Sequence, residues 1–410
     1  MIKPEILSPI QDFTSLHAAI DAGADAVYFG IRGFNMRHGA KNFSVIDLSK
    51  ISRLCHENKV KAYLALNTII YEAELKKVFN ILDKAKKVKI DAVIAWDLAV
   101  INYAKKIGLD IHLSTQAGVA NSSSAEVYNK LGVKRIVLAR ECTLADIKNI
   151  KKKLKNKVAL EVFIHGAMCV SVSGRCFMSE HFFGASANRG ACTQPCRRKY
   201  LIKQIDGDQE MEIGEDYVLS PKDLCTLLFL EKLLTVGISS LKIEGRNRSP
   251  EYVFTTTKVY REAVDEYFKI KGKAGWQKEW TKKKEIWLAE LKKVYHRGFG
   301  EGFYLGRPIS QWNHSYGSVA TQKKIHLGEV VHFYDKIMVA EIKIKAAKKL
   351  KIKDEIIIQG PTTGVVRQKV VSLEKDHQPI KQAGQGDAIA IKMEKKVRPG
   401  DIVYKIYNVS

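Results

Sequence analysis

The chain has 410 residues, 46% hydrophobic and 27% charged, with Lys plus Arg exceeding Asp plus Glu by 24. This composition builds a folded core and excludes a disordered chain, and the length predicts one large domain with a smaller one, or two to three modest ones. No apolar run reaches the ~18 residues of a membrane span, and Met1-Ile-Lys-Pro lacks the basic-then-apolar pattern of a signal peptide, so a cytoplasmic location with no membrane contact is expected.

Short apolar segments alternate with amphipathic ones through the first 250 residues. Eight strands are predicted at 5–9, 26–30, 61–67, 92–96, 111–115, 135–140, 159–165 and 240–244. Helical patterns lie between them at 48–58, 72–86, 123–131 and 144–154, and Gly23, Gly108, Gly132 and Gly237 stand where a helix ends and turns into a strand. Eight such units with nearly continuous apolar strands predict a parallel (β/α)8 TIM-like barrel over residues 1–310. An open doubly wound sheet is the alternative, weakened because Ile6-Leu-Ser-Pro-Ile-Gln holds no glycine for a phosphate loop.

Catalytic groups of such a barrel sit at the carboxyl ends of its strands. Those ends supply Ser8, Gly30, Asn67, Asp97, Thr115, Gln116, Arg140, Glu141, His165, Glu244 and Arg246. Helix caps account for some of them singly, but as a set they describe a polar rim.

A segment of about 166–225 interrupts the seventh unit and carries five of the seven cysteines, Cys169, Cys176, Cys192, Cys196 and Cys225. Four thiolates can hold zinc or an iron–sulfur cluster; the uneven spacing favours a cluster wrapped by a long loop. Cys55 and Cys142 stand alone and read as buried, inert thiols.

After Tyr295 comes a glycine-rich linker, His296-Arg-Gly-Phe-Gly-Glu-Gly, and then alternating runs at 329–333, 336–344, 354–359, 365–372, 388–393 and 402–407. They predict a small all-β barrel over 320–410. The charge surplus is concentrated: Lys269 to Arg297 hold ten Lys/Arg against three Glu, and Lys343 to Lys353 hold six Lys and no acid. A polyanionic partner, nucleic acid, is therefore expected. Trp276, Trp280 and Trp287 among the cations could stack on bases, although the seven-residue interval from Trp280 to Trp287 fits one face of a helix packed on a core.

The run Glu161-x-Phe163-x-x-Gly166-Ala-Met-Cys169, then four residues and Gly174-x-Cys176-x-Met178-Ser179, resembles the motif of the peptidase U-32 family, the collagenase-like peptidases. Asp21 to Gly30, Phe34-Asn-Met-Arg37, Asn188-Arg-Gly190, Lys242-Ile-Glu-Gly-Arg246 and His296-Arg-Gly-Phe299 resemble its other blocks, so the likeness covers residues 3–310. The carboxy-terminal module is similar to that of the tRNA-modifying branch.

The resemblance implies an oxygen-independent RNA hydroxylase with a [4Fe-4S] cluster, forming 5-hydroxyuridine at the tRNA wobble position with prephenate as co-substrate. Hydroxylation of a ribosomal RNA cytidine and peptide hydrolysis are the alternatives it leaves. Carried over by motif, the cluster ligands are Cys169, Cys176, Cys192 and Cys225, with Cys196 the rival for the place of Cys192. Prephenate carries two carboxylates, and Arg37, Arg140, Arg175 and Arg246 are the candidates to bind them. His165 and Glu244 are the candidate proton-transfer groups; the competing account makes His165 a satisfied rim histidine and Glu244 an ion-pair partner of Arg246.

Overall fold

The structure, a computed structural model, describes residues 3–37, 39–204, 211–214, 217, 219–308, 311–315 and 317–409. Eight strands form a closed parallel barrel: β1 (Glu5–Pro9), β2 (Ala26–Gly30), β3 (Lys61–Ala65), β4 (Ala92–Ala95), β5 (Asp110–Leu113), β6 (Arg135–Val137), β7 (Ala159–Gly166) and β8 (Ser240–Ile243). Each pairs in parallel with the next, and β8 hydrogen-bonds to both β7 and β1. Helices α1 (Phe13–Asp21), α2 (Leu48–Glu57), α3 (Leu75–Lys87), α4 (Leu98–Lys106), α5 (Ser122–Lys130) and α6 (Leu144–Leu154) fill the first six connections.

Strand β6 stops at Val137, three residues earlier than its apolar run predicts. The reason is visible in the backbone: Leu138 N still donates to Glu161 O, but Ala139 N turns to Val119 O, and the chain leaves the sheet in time to throw Arg140 into the barrel mouth.

The strand alternation sorts side chains into two environments. Ile6, Val27, Leu64, Val93, Leu160 and Leu241 join the large apolar core under the helices. On the opposite faces, Leu7, Tyr28, Tyr63, Ala65 and Ile94 form a small inner cluster, below which lies a buried charged network. Glu161, fully buried, accepts from Lys242 Nζ at 2.9 Å and from Arg135 at 3.2 Å; Arg135 also reaches Glu5 at 2.5 Å, and Tyr63 donates to Glu5 at 2.8 Å.

The seventh connection carries the insertion. It contains α7 (Met178–Phe183) and the short strand Asp223–Cys225, which runs antiparallel to β7 with Cys225 opposite His165. Residues 205–210, 215, 216 and 218 of this segment lie outside the described residues. Then follow α8 (Leu230–Val236), β8, α9 (Pro250–Ile270) and α10 (Trp276–Lys293). Trp280 and Trp287 are buried, pack edge to face on each other, and donate their indole N–H groups to Glu231 and Glu262. They are core residues; no face is left for a base.

The glycine-rich stretch after Tyr295 is not a free linker. Phe299–Gly300 pairs with the strand Asp223–Cys225, and Tyr304 donates to Phe163 O. Its glycines permit close packing: a Cβ on Gly300 would stand 2.5 Å from Gln311 Oε1.

The carboxy-terminal strands form an antiparallel eight-stranded sheet that includes Gln322–Tyr334, Val339–Ile344, Glu355–Gly360, Gly364–Lys369, Ala388–Lys392 and Ile402–Asn408. It has its own core around Leu327, Val330, Ile342, Ile356 and Val403. It is seated on the barrel: Ile357, Val365 and Ile406 pack on Ala18 of α1 and Phe254 of α9, and Lys324 pairs with Glu251 at 2.8 Å. Among the described residues no helix is long and apolar enough to cross a membrane.

Burial opposes ionisation of Glu161, but Lys242, Arg135 and the His112 site overcome it and hold the carboxyl down to about 2. Its contribution to stability is complete above the ordinary carboxylate value and is lost as pH falls from there through about 2. Glu161→Gln would leave Lys242 and Arg135 buried with too few anions, at a cost on the order of 3–5 kcal/mol. We expect a clearly lowered urea midpoint for this variant at neutral pH, and an unchanged midpoint would show that the network carries no such weight.

Candidate active site

A deep cavity opens at the carboxyl ends of the strands. Glu244, one residue past β8, is its electrostatic centre. Burial alone would raise its pKa, yet Arg37, Arg140, Arg246 and Lys242 outweigh burial and hold it down to about 2. Arg37 reaches Glu244 Oε1 through Nε at 3.2 Å and NH2 at 3.1 Å, and Arg140 reaches Oε2 at 3.5 Å. Glu244 is thus a permanent carboxylate that gathers guanidinium groups from separate loops. Its neutral form is not accessible near pH 7, which removes it as a general acid.

The backbone around Glu244 is fixed from both sides. Its N–H donates to His165 O at 2.8 Å, and its carbonyl accepts from Tyr252 Oη at 2.9 Å. Gly166 faces it at φ +107°, and a Cβ there would stand 2.3 Å from Glu244 O, so only glycine lets the chain pass from β7 into the cysteine loop at this point.

The four candidate co-substrate arginines occupy different positions. Arg37 and Arg140 line the cavity, Arg140 stacked on Phe163 with 3.9 Å to the ring centroid and donating to Ala167 O. Arg246 also lines it, almost fully buried, with NH1 on Asn35 Oδ1 at 3.1 Å and Nε lacking any hydrogen-bond partner. Arg175 does not line it; its guanidinium donates to Gln116 O and lies over Trp96.

Further cations that the strand-end reading missed complete the lining: Lys242, Arg197, Arg248 and Arg297. Lys242 could have been found, since it precedes Glu244 by two on the inward face of β8. Arg197 and Arg297 lie in irregular segments, which offer no periodicity to read. Among the described residues, seven cations therefore face the cavity against one carboxylate, Glu244. The strand-end residues Asn67, Thr115 and Gln116 line it too, with Asn67 Nδ2 donating to Gln116 Oε1 at 3.2 Å. Ser8, Asp97 and Glu141 are spent on local structure: Ser8 on Thr257, Asp97 on capping α4, and Glu141 on Ser173.

His165 is placed away from this lining. It is 1% exposed, packed among Tyr252, Tyr260 and Phe299, with Nδ1 3.4 Å from Tyr260 Oη. Burial, aided by the charges of His296 and Arg248, lowers its pKa to about 3. A neutral, enclosed imidazole has no route to a substrate proton.

The cysteines divide in an unexpected way. Cys169, Cys176, Cys192 and Cys196 all line the cavity. Backbone Ser171 N donates to Cys169 Sγ and Met178 N to Cys176 Sγ, both at 3.4 Å, and Ser179 Oγ lies 3.8 Å from Cys192 Sγ. Burial raises the pKa of Cys196 to about 11; Arg197 opposes this, while Cys169, Cys192 and Cys176 are near enough to raise it further. Cys225, carried over by motif as the fourth ligand, stands apart: it is fully buried, outside the cavity lining, 3.8 Å from Tyr260 Oη, with its pKa pushed up to about 11 by burial. The antiparallel pairing of Asp223–Cys225 with β7 turns its side chain into the apolar core, a register no motif spacing reveals.

Among the described residues no three His, Cys, Asp or Glu side chains converge tightly enough for a single metal ion. A cubane cluster distributes its four thiolates over four irons, so its ligands surround a volume rather than a point. The donor set fits that demand: four thiols lining one cavity, amides directed at two sulfurs, and Arg37 and Arg197 near them to offset charge.

Since burial keeps His165 neutral above about pH 3 and Glu244 stays ionised above about pH 2, neither titrates near neutrality. We expect the ring-nitrogen NMR signals of His165 to remain those of a neutral imidazole from about pH 8 down to about pH 5; a protonation step in that interval would restore it as a proton-transfer group.

Residues 11–314 match the sequence profile of peptidase family U32. The chain is similar to an uncharacterized protease of Methanocaldococcus jannaschii, 44% identical over 98% of both chains, and to a collagenase of Porphyromonas gingivalis, 41% identical over 98% of this chain and 97% of that one. It is also similar to tRNA hydroxylation protein P1 of Bacillus subtilis, 29% identical over 98% of this chain and 95% of that one. With the profile covering β2 to β8, the cysteine insertion and the closing glycine-rich segment, the chain belongs to peptidase family U32.

Proposed function

We propose that this protein is an RNA-modifying hydroxylase that acts in the cytoplasm, forms 5-hydroxyuridine at the tRNA wobble position, uses prephenate as co-substrate, and holds a [4Fe-4S] cluster on Cys169, Cys176, Cys192 and Cys196. The observation that carries this reading is the pairing, in one cavity and among the described residues, of four thiols with seven cations and a single carboxylate. A site so charged suits a polyanionic substrate and a dicarboxylate together.

The chain's own residues perform the binding. Arg246, buried with a free Nε, and Arg37 and Arg140, held by Glu244, present fixed donors to the carboxylates of the small acid. Because Glu244 neutralises only part of their charge, they remain pre-organised without being silenced. Asn67, Gln116 and Ser114 form the neutral polar wall against which a flipped pyrimidine would be read by hydrogen bonds. When bound, the cluster supplies Lewis acidity or electron transfer at the cysteine wall.

Similarity to a tRNA hydroxylation protein across the whole chain, the carboxy-terminal sheet included, supports tRNA as the substrate. Peptide hydrolysis, in keeping with the names of two other relatives, requires a nucleophile paired with a base. Among the described residues no cysteine sulfur is hydrogen-bonded to a histidine, which favours the hydroxylase.

The test is nucleoside mass spectrometry of tRNA from a strain lacking the gene: 5-hydroxyuridine and its derivatives should disappear, and an unchanged profile would reject this assignment. Purified without oxygen, the wild-type protein should be brown with about four irons per chain. Cys169→Ala and Cys196→Ala should lose most of that iron, whereas Cys225→Ala should retain it. Loss of iron in Cys225→Ala with retention in Cys196→Ala would reverse the ligand assignment.

A further inference from the structure

Beside the main cavity lies a second one, lined by Arg197, Arg198, Arg297, Tyr295, Asn313 and Asn247 together with Cys192 and Gln194. The two share Cys192, Gln194, Arg197, Asn247 and Arg297 as a common wall. No Asp or Glu lines the second cavity among the described residues.

We propose that this second cavity is a phosphate pocket, which holds a backbone phosphate of the RNA strand while its base occupies the main cavity; the inference rests on the RNA-modifying reading above. Arg197 donates only to uncharged acceptors: Ser220 Oγ at 2.9 Å, Pro221 O at 2.5 Å and Met168 O at 2.5 Å. Arg297, 4% exposed, pairs with Asp223 at 3.4 Å, donates to Gln194 Oε1, and gives its Nε–H to Tyr295 Oη at 3.1 Å. Tyr295 accepts that bond, so its own O–H is free to donate to a ligand. The exposed Arg198 has no carboxylate partner among the described residues and is steered by Phe183, 4.7 Å from the ring centroid.

The like charges of Arg197 and Arg297 oppose each other in a partly desolvated site, and among the described residues the one acid paired with either, Asp223, neutralises a single charge. A bound anion would offset the charge that remains. A phosphate suits it better than a second carboxylate because guanidinium forks, a phenol and amide groups approach from several directions, as a tetrahedral oxyanion requires. The shared wall explains the register: a nucleotide presents its base and its phosphate at two ends, and these two cavities accept two ends of one ligand.

The test measures anisotropy of a fluorescein-labelled RNA anticodon stem-loop against wild type, Arg198→Gln and Arg197→Gln over a series of KCl concentrations. Each variant should weaken binding several-fold and reduce the slope of log Kd on log salt by about 1. Arg198→Gln should keep wild-type iron content and wild-type affinity for prephenate, which separates a lost phosphate contact from misfolding and from loss of the small acid. A steep wild-type slope that Arg198→Gln leaves intact overturns the pocket alone. Weakened prephenate binding in Arg198→Gln with an unaltered RNA slope assigns the cavity to the acid and also overturns it. A wild-type protein that binds the stem-loop without salt dependence removes the RNA reading itself.

Discussion

One buried carboxylate organises the mouth of this barrel. Glu244 follows directly on β8 and draws in Arg37 from the loop after β2 and Arg140 from the turn after β6, while its backbone is clasped by His165 and Tyr252. A buried anion of this kind is unfavourable alone and stable only when surrounded by cations and hydrogen bonds. That demand converts three loops of different origin into one rigid cationic surface. The same logic recurs lower in the barrel, where Glu161 holds Lys242 and Arg135, so the interior combines buried ion pairs with the small apolar cluster of Leu7, Tyr28, Tyr63, Ala65 and Ile94.

The cysteine insertion is built on that surface. Gly166 allows the chain to pass directly over Glu244, and the next two residues, Ala167 and Met168, deliver carbonyls to Arg140 and Arg197 before Cys169 is reached. Thiols and cations are therefore positioned by the same contacts. The carboxy-terminal sheet, fastened to α1 and α9 by Ile357, Val365 and the Lys324–Glu251 pair, adds a further basic surface in a set relation to the barrel.

The roles expected of His165 and Cys225 show why residue type and position on a strand do not suffice. Both face away from the solvent-filled mouth and meet around the hydroxyl of Tyr260, a tyrosine from α9 that is distant in sequence. Desolvation then sets their chemistry: it keeps the imidazole neutral and the thiol protonated. Cys196, by contrast, is carried by a short turn that begins with Gln194 in the left-handed region, and that turn brings it to the thiols of Cys169, Cys176 and Cys192.

What the sequence by itself determined is the local and periodic part: eight strand–helix units, their helix-ending glycines, the antiparallel strands of the second module, and the accumulation of cysteine and arginine near residues 166–198. These are legible because apolar periodicity and backbone preference act over a few residues. The tertiary structure alone decided which of the accumulated groups share a cavity. It excluded His165, Arg175 and Cys225 from the lining, and admitted Cys196, Arg197, Lys242 and Arg297. The physical reason is that burial and Coulomb interaction depend on distance in space, and closure of a barrel joins residues such as Arg37 and Glu244 that are 207 positions apart along the chain.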